Sequence, residues 1–204
     1  MTGSRSLGGA LCAVGMLFGL GVSEGHAGPE RFMEVGGLTS QPIGHYEFCQ
    51  RMPEECSIRP DDDGPLSLTD DILDHIRRVN LTVNEAVTAM SDIDNYGEAE
   101  FWTYPDLGNG DCEDHALEKR RTLTRAGISL ANLLLTVVRL PNGEGHAILT
   151  VRTDRGDFVL DNLNDEVKLW SNTGYRYLKR QAANHTGRWI SLRDDEAPLV
   201  SALR

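Results

Sequence analysis

The 204-residue chain carries 31 acidic against 20 basic side chains, a formal net charge of −11 at neutral pH. That balance, with no basic patch interleaved with aromatics, argues against a general nucleic-acid binder. Only the start of the chain holds a long apolar run, so the remainder is expected to be soluble and not inserted in a membrane.

Arg5 precedes an apolar, Gly-rich stretch over residues 7–22, and Gly25-His26-Ala27 places small residues around a cleavage point. This layout predicts a signal peptide over residues 1–27, since a transmembrane anchor needs a longer and more uniformly apolar run. A lipoprotein reading through Cys12 is weaker, because that cysteine sits inside the run and not at its end. Residues 28–204 then form a single domain, exported to an oxidising compartment such as the periplasm.

Residues 28–66 read as irregular. Within them Cys49 and Cys56 occupy "HYEFCQRMPEECSIRP", where the spacing can close a small disulfide ring; two buried thiols are the alternative. Asp61, Asp62 and Asp63 read as a solvated turn, because the later ligands of an EF-hand are missing. Ile72, Leu73, Ile76 and Val79 recur at helical spacing, which predicts a helix capped by Ser67 or Thr69, with His75 off the stripe at the surface. A second helix starts near Cys112. Gly108 and Gly110 break the chain before it, Ala116, Leu117, Leu123 and Ala126 form its stripe, and Gly127 ends it. Residues 133–140 read as a buried strand, and "HAILTVRTDRGDFVLDNL" as a hairpin about Asp154-Arg155-Gly156. Another strand pair is expected near residues 175–178 and 188–192, with "AANHTG" between them. The sum is an α+β architecture.

Three residues of this scheme have reasons to meet. Across a two-residue hairpin loop, paired positions sum to an odd number, so His146 and Asp161 share a face about one diagonal step apart. A carboxylate beside an imidazole is what orients a catalytic base. Cys112 sits at a helix N-terminus, where the dipole favours a thiolate that an imidazolium can pair with. Spacing alone also admits a buried core cysteine and a histidine that merely satisfies a backbone group. The neighbours pose a conflict: in "NGDCEDHALEKR", Asp111, Glu113 and Asp114 all oppose ionisation of the thiol.

The blocks "GDCEDHALEKRRTLTRAGI", "GEGHAILTV" and "FVLDNL", in that order, closely resemble the bacterial transglutaminase-like cysteine peptidases, the family of the LapG-type periplasmic proteases. The likeness runs from about Asp94 to Leu192 and takes in "FWTYP" and "YRYLKRQ". It implies a papain/transglutaminase-like core, a nucleophile-bearing helix packed on an antiparallel β-sheet. The nucleophile then falls on Cys112, the base on His146 and the orienting carboxylate on Asp161. The resemblance also implies a calcium ion beside the nucleophile, held by Asp111 and Glu113 with Asp114 a weaker candidate, and no organic cofactor. Such a cation would cancel the charges that oppose the thiolate, and all-oxygen ligation suits calcium better than zinc. The competing reading is that the acids only complement the helix dipole. His115 departs from the pattern, standing where relatives usually carry an aromatic such as Tyr, and reads as a neutral swap near the helix surface. The short "YPDLGNG" approach also departs from it. The implied activity is a thiol protease acting on a periplasmic or cell-surface protein, adhesin-like and cut near small residues, with a membrane receptor that sequesters the enzyme. The Cys112 backbone N–H would contribute to the oxyanion hole, with Trp102 or Asn109 as candidates for the second donor. An acyl-transferring transglutaminase-like enzyme and a non-catalytic protein-binding module of the same fold are the alternatives.

Overall fold

The computed structural model describes residues 1–3 and 30–193. The expected signal segment, Cys12 included, therefore lies outside the described residues apart from its first three. Along the chain run β1 (Val35–Thr39), α1 (Ile43–Arg51), α2 (Pro53–Cys56), α3 (Asp70–Ala86), β2 (Thr88–Ala89), α4 (Asp92–Asn95) and β3 (Asn109–Gly110). Then follow α5 (Cys112–Arg125), β4 (Leu133–Arg139), β5 (Gly145–Thr153), β6 (Gly156–Leu160), β7 (Lys168–Leu169), β8 (Arg176–Ala182) and β9 (His185–Leu192).

Seven strands form one antiparallel sheet in the order β1-β9-β8-β4-β5-β6-β7. β4 and β5 occupy its middle and are buried on both faces, as their apolar, β-branched runs require. Alternation along them supplies two cores. Leu133, Leu135, Ala147, Leu149 and Val151 join the helix-side core with Ala116, Leu117 and Leu123 of α5. Val138 and Ile148 join a smaller core with Met33, Val159, Tyr177 and Leu192. Helix α5 packs on β5 and β4, and α3 packs on α5. On α3 the buried residues Ile76, Val79, Asn80 and Val83 keep helical spacing, and Thr69 is the cap, its hydroxyl accepting from the Ile72 N–H at 3.2 Å. Gly127, at φ +95°, follows α5 and takes the left-handed conformation that favours glycine after a helix.

The hairpin holds the expected register: Thr153 pairs with Gly156 around the two-residue loop Asp154-Arg155, and Leu149 pairs with Leu160. Asp161 thus follows directly after β6, one diagonal step from His146. Asp61, Asp62 and Asp63 are exposed, and Asp62 pairs with Arg152.

Four expectations need correction. Residues 28–66 are not irregular throughout, because β1, α1 and α2 lie there. Strand β1 escaped notice because it is a sheet edge with two glycines and no buried alternation; α1 escaped because its buried positions are Gly44, His45 and Phe48. The segment "AANHTG" is mostly strand, and the loop shrinks to Ala183-Asn184. His75 is half-buried, not a surface residue, and its Nε2 has no hydrogen-bond partner. His115 is buried at 2% exposure and not near the surface. Cys49 of α1 and Cys56 of α2 are joined as a disulfide. Among the described residues no helix is long and apolar enough to cross a membrane.

Candidate active site

Cys112 is the first residue of α5, with Asp111 as its N-cap. The approach to it is set by a short parallel pairing, Thr88 with Asn109 and Ala89 with Gly110. Gly110 must be glycine here, since a Cβ would lie 2.6 Å from the Asp114 Cβ. Cys112 is the free cysteine among the described residues and is half-buried. Its Sγ accepts from the Ala147 N–H at 3.4 Å and donates to Glu113 Oε2 at 3.1 Å.

Asp161, 3% exposed, faces His146 across the diagonal, with Oδ1 2.8 Å from His146 Nε2. The same Oδ1 accepts from the Leu163 N–H at 3.0 Å, and Oδ2 accepts from the Tyr175 hydroxyl at 2.6 Å. Burial opposes ionisation of Asp161, but the bond and charge of His146, with the Tyr175 bond, outweigh it and hold the carboxyl below its usual range. An ionised carboxylate only accepts, so Nε2 of His146 carries a proton toward it and Nδ1 is the nitrogen left over. His146 and Cys112 both line one cleft of about 310 Å³, walled by Pro42, Ile43, Glu100, Trp102 and Val137. A larger groove, about 620 Å³ between α3 and α5, contains none of these residues. Size does not select the site here; chemistry does.

Of the two suggested oxyanion donors, Trp102 lines the cleft, but its indole N–H is engaged by Glu100 at 3.3 Å. Asn109 lies in β3 and is not among the lining residues.

The acidic conflict at Cys112 persists in the fold. Burial, then the charge of Glu113, push the thiol well above its ordinary value. A helix N-terminus favours an anion by roughly 0.3–1 kcal/mol, and here it does not prevail. Burial, then Asp111, raise the Glu113 carboxyl, and burial raises Asp111 too. Asp114 is pushed up to about 8, mainly by burial, although it accepts from the Thr103 N–H at 2.9 Å.

Two sets of ligand atoms occur here, the atoms within each set lying within 4.8 Å of one another: Asp111 with Cys112 and Glu113, and Asp92 with Asp111 and Asp114. Asp92 Oδ1, Asp111 Oδ1 and Asp114 Oδ2 are buried and have no hydrogen-bond partner. Three converging orphan carboxylate oxygens fit a hard divalent cation of the calcium kind. Asp92 was not anticipated, since nothing in its spacing ties position 92 to position 111; Ser91 caps α4 and the β2–β3 pairing brings the two together. Tyr175 was expected only as a strand residue. His115 keeps Nδ1 2.6 Å from the Asp111 carbonyl oxygen, so that nitrogen donates and steadies the turn before the thiol.

The sequence profile of the bacterial transglutaminase-like cysteine proteinases matches residues 35–197. The chain belongs to that family. Among solved structures, calcium-bound LapG of Legionella pneumophila is similar with a TM-score of 0.51 at 22% identity, over 63% of this chain and 75% of that one. The EGTA-treated form of the same protein gives 0.50 at 21% identity, over 61% and 69%. No curated protein matches. With calcium-bound LapG the chain shares its fold, a mixed helix and antiparallel-sheet architecture of the transglutaminase-like kind.

Proposed function

We propose that the protein is an exported thiol protease in which Cys112 is the nucleophile, His146 the base and Asp161 the orienting carboxylate. The observation that carries this reading is the bond from Asp161 to His146 Nε2, which leaves Nδ1 for the thiol in the shared cleft. The thiol proton passes to Nδ1, and the thiolate attacks the scissile carbonyl carbon. The oxyanion that forms is stabilised by the Cys112 N–H at the open start of α5. His146 then gives its proton to the leaving amine. A water, deprotonated by the same ring, attacks the thioester and releases the carboxylic acid, returning the proton to sulfur. Asp161 stabilises the imidazolium without accepting its proton.

Calcium, when bound, would neutralise the acids flanking the thiol. Asp111, common to both sets of ligand atoms, would hold it, with Glu113 from the one set or with Asp92 and Asp114 from the other, and the free oxygens of Asp92, Asp111 and Asp114 support the second set. The substrate is a periplasmic or cell-surface protein of adhesin type, and a membrane receptor sequesters the enzyme. Residues 1–27 are a signal peptide, and residues 28–204 are the single mature domain.

The test incubates purified mature protein with washed bacterial envelopes and sequences the polypeptides released. Cys112→Ala and His146→Ala should release nothing while keeping a native melting transition. Asp161→Asn should retain more activity than either. Undiminished release by Cys112→Ala would overturn the reading.

A further inference from the structure

Three backbone groups in succession are held at residues 101–103. The Phe101 N–H donates to the Asp92 carboxylate and the Thr103 N–H to Asp114 Oδ1 at 2.9 Å. Between them the Trp102 carbonyl accepts from Arg51 Nη2 at 2.7 Å. Arg51 is the last residue of α1, and its guanidinium also lies over the Phe101 ring, 4.0 Å from the centroid. An exposed arginine at a helix end usually turns to water or to an acid. Arg51 is exposed, yet it directs a donor to one carbonyl and its face to one ring. The start of the same helix meets the Trp102 side chain. A Cβ on Gly44 would lie 2.4 Å from Trp102 Cδ1, and the His45 ring stands edge-on to the indole at 5.5 Å. Helix α1 therefore holds Trp102 twice, at the backbone and at the ring.

Trp102 lines the cleft of Cys112 and His146 with Pro42, Ile43 and Val137, and Ile43 leaves 62% of its surface to solvent there. The two acids of that cleft already have partners: Glu113 accepts from the thiol and Glu100 from the indole N–H. What remains open beside the nucleophile is apolar. Resting on the reading of this cleft as the site of reaction, we infer that Arg51 is a positioning residue: it fixes Trp102, and with it an apolar subsite of Trp102, Pro42, Ile43 and Val137 that takes an apolar side chain of the substrate. Arg51 touches no reacting atom, and its contribution reaches the substrate only through Trp102. An arginine that merely anchored the end of α1 would leave the indole and the subsite indifferent to its loss.

Arg51→Met keeps much of the stem and removes the donors. The mature protein is labelled with 5-fluorotryptophan, and the Trp102 ¹⁹F resonance is identified by its absence from Trp102→Phe. Trp170, packed against the other core, is the reference. Cys112 is alkylated in parallel with N-benzyliodoacetamide and with iodoacetamide, and the ratio of the two rates cancels any change in thiolate fraction. In Arg51→Met the Trp102 resonance should shift or broaden while that of Trp170 stays. The benzyl-to-plain ratio should fall about threefold, the size of a weak aromatic contact. Gly44→Ala, which has no room for its Cβ unless the indole moves, should lower the ratio as well. An unmoved Trp102 resonance in folded Arg51→Met, or an unchanged ratio in either variant, overturns the inference. If Arg51→Met does not fold, Arg51→Lys takes its place. An ammonium cannot cover the Phe101 ring and reach the carbonyl as the flat guanidinium does, so resonance and ratio should move the same way by less. Wild-type values for both would overturn the inference. Alkylation needs no substrate, so failure of the protease reading would leave this measurement standing, whereas failure of the inference would leave turnover by Cys112 intact.

Discussion

Asp161 has more partners than an orienting carboxylate strictly requires. His146 and Leu163 share one oxygen, and Tyr175 occupies the other. Tyr175 also sets its ring edge-on to the His146 ring, 6.0 Å between centroids. Burial, and then the bond to Asp161, raise its hydroxyl above the ordinary tyrosine value, so it stays a donor at any working pH. Tyr175→Phe should therefore cost about threefold to tenfold in kcat, since it removes one charge-assisted bond while the His146 contact remains. Losing that bond also raises Asp161, so the acid limb of the kcat profile should move to higher pH. A profile identical to wild type would show that Tyr175 is only packing. The place of Cys112 at a helix start and the shared face of His146 and Asp161 were legible from the sequence because strand period and helix start are short-range signals, whereas their assignment as a triad came from the resemblance. Tyr175 and Asp92 were not, because each reaches the site through a tertiary approach that leaves no local pattern.

At the scale of elements, the legible parts were those with a strong period: α3, α5, β4 and the β5–β6 hairpin. The edge strand β1 and the short helices α1 and α2 lack one, and a disulfide does the holding that an apolar face does elsewhere. That cross-link matters to the site, since Pro42 and Ile43 at the start of α1 line the cleft beside Cys112. The oxidised mature protein, residues 28–204, should titrate one thiol under denaturation and three after reduction. Removing the cross-link by Cys49→Ser with Cys56→Ser should lower stability by roughly 2–3 kcal/mol, the lower part of the usual range for so short a loop. Denaturant unfolding measures that loss. The same variant should raise KM more than it lowers kcat, because the cleft wall loosens while His146 and Asp161 stay on the sheet. A double serine variant as stable as the parent would make the disulfide incidental.

For the whole molecule, the acids around Cys112 join α4, the segment before β3 and α5. Asp92 accepts from the Phe101 N–H, and Asp114 accepts from the Thr103 N–H. Without a cation, burial keeps Asp114 protonated up to about 8, from an ordinary 3.8, and raises Asp111 and Glu113 in the same direction. The folded values lie above the unfolded ones. The stability these groups permit is thus fully present below about pH 4 and is lost as pH climbs through about 8. Calcium competes with those protons for the same oxygens, and the folded state binds it through a site that the unfolded chain lacks. Two curves follow. Chelated protein should melt at progressively lower temperature between about pH 5 and pH 8, whereas calcium-loaded protein should lose most of that slope. The calcium-dependent gain in melting temperature should accordingly grow with pH, and magnesium, which demands tighter octahedral geometry, should reproduce little of it. Asp92→Asn tests the part no sequence pattern revealed: it should weaken calcium binding, seen by calorimetry, while leaving the Cys112, His146 and Asp161 geometry untouched. Parallel melting curves with and without calcium at every pH would mean that these acids serve only as helix-end charges.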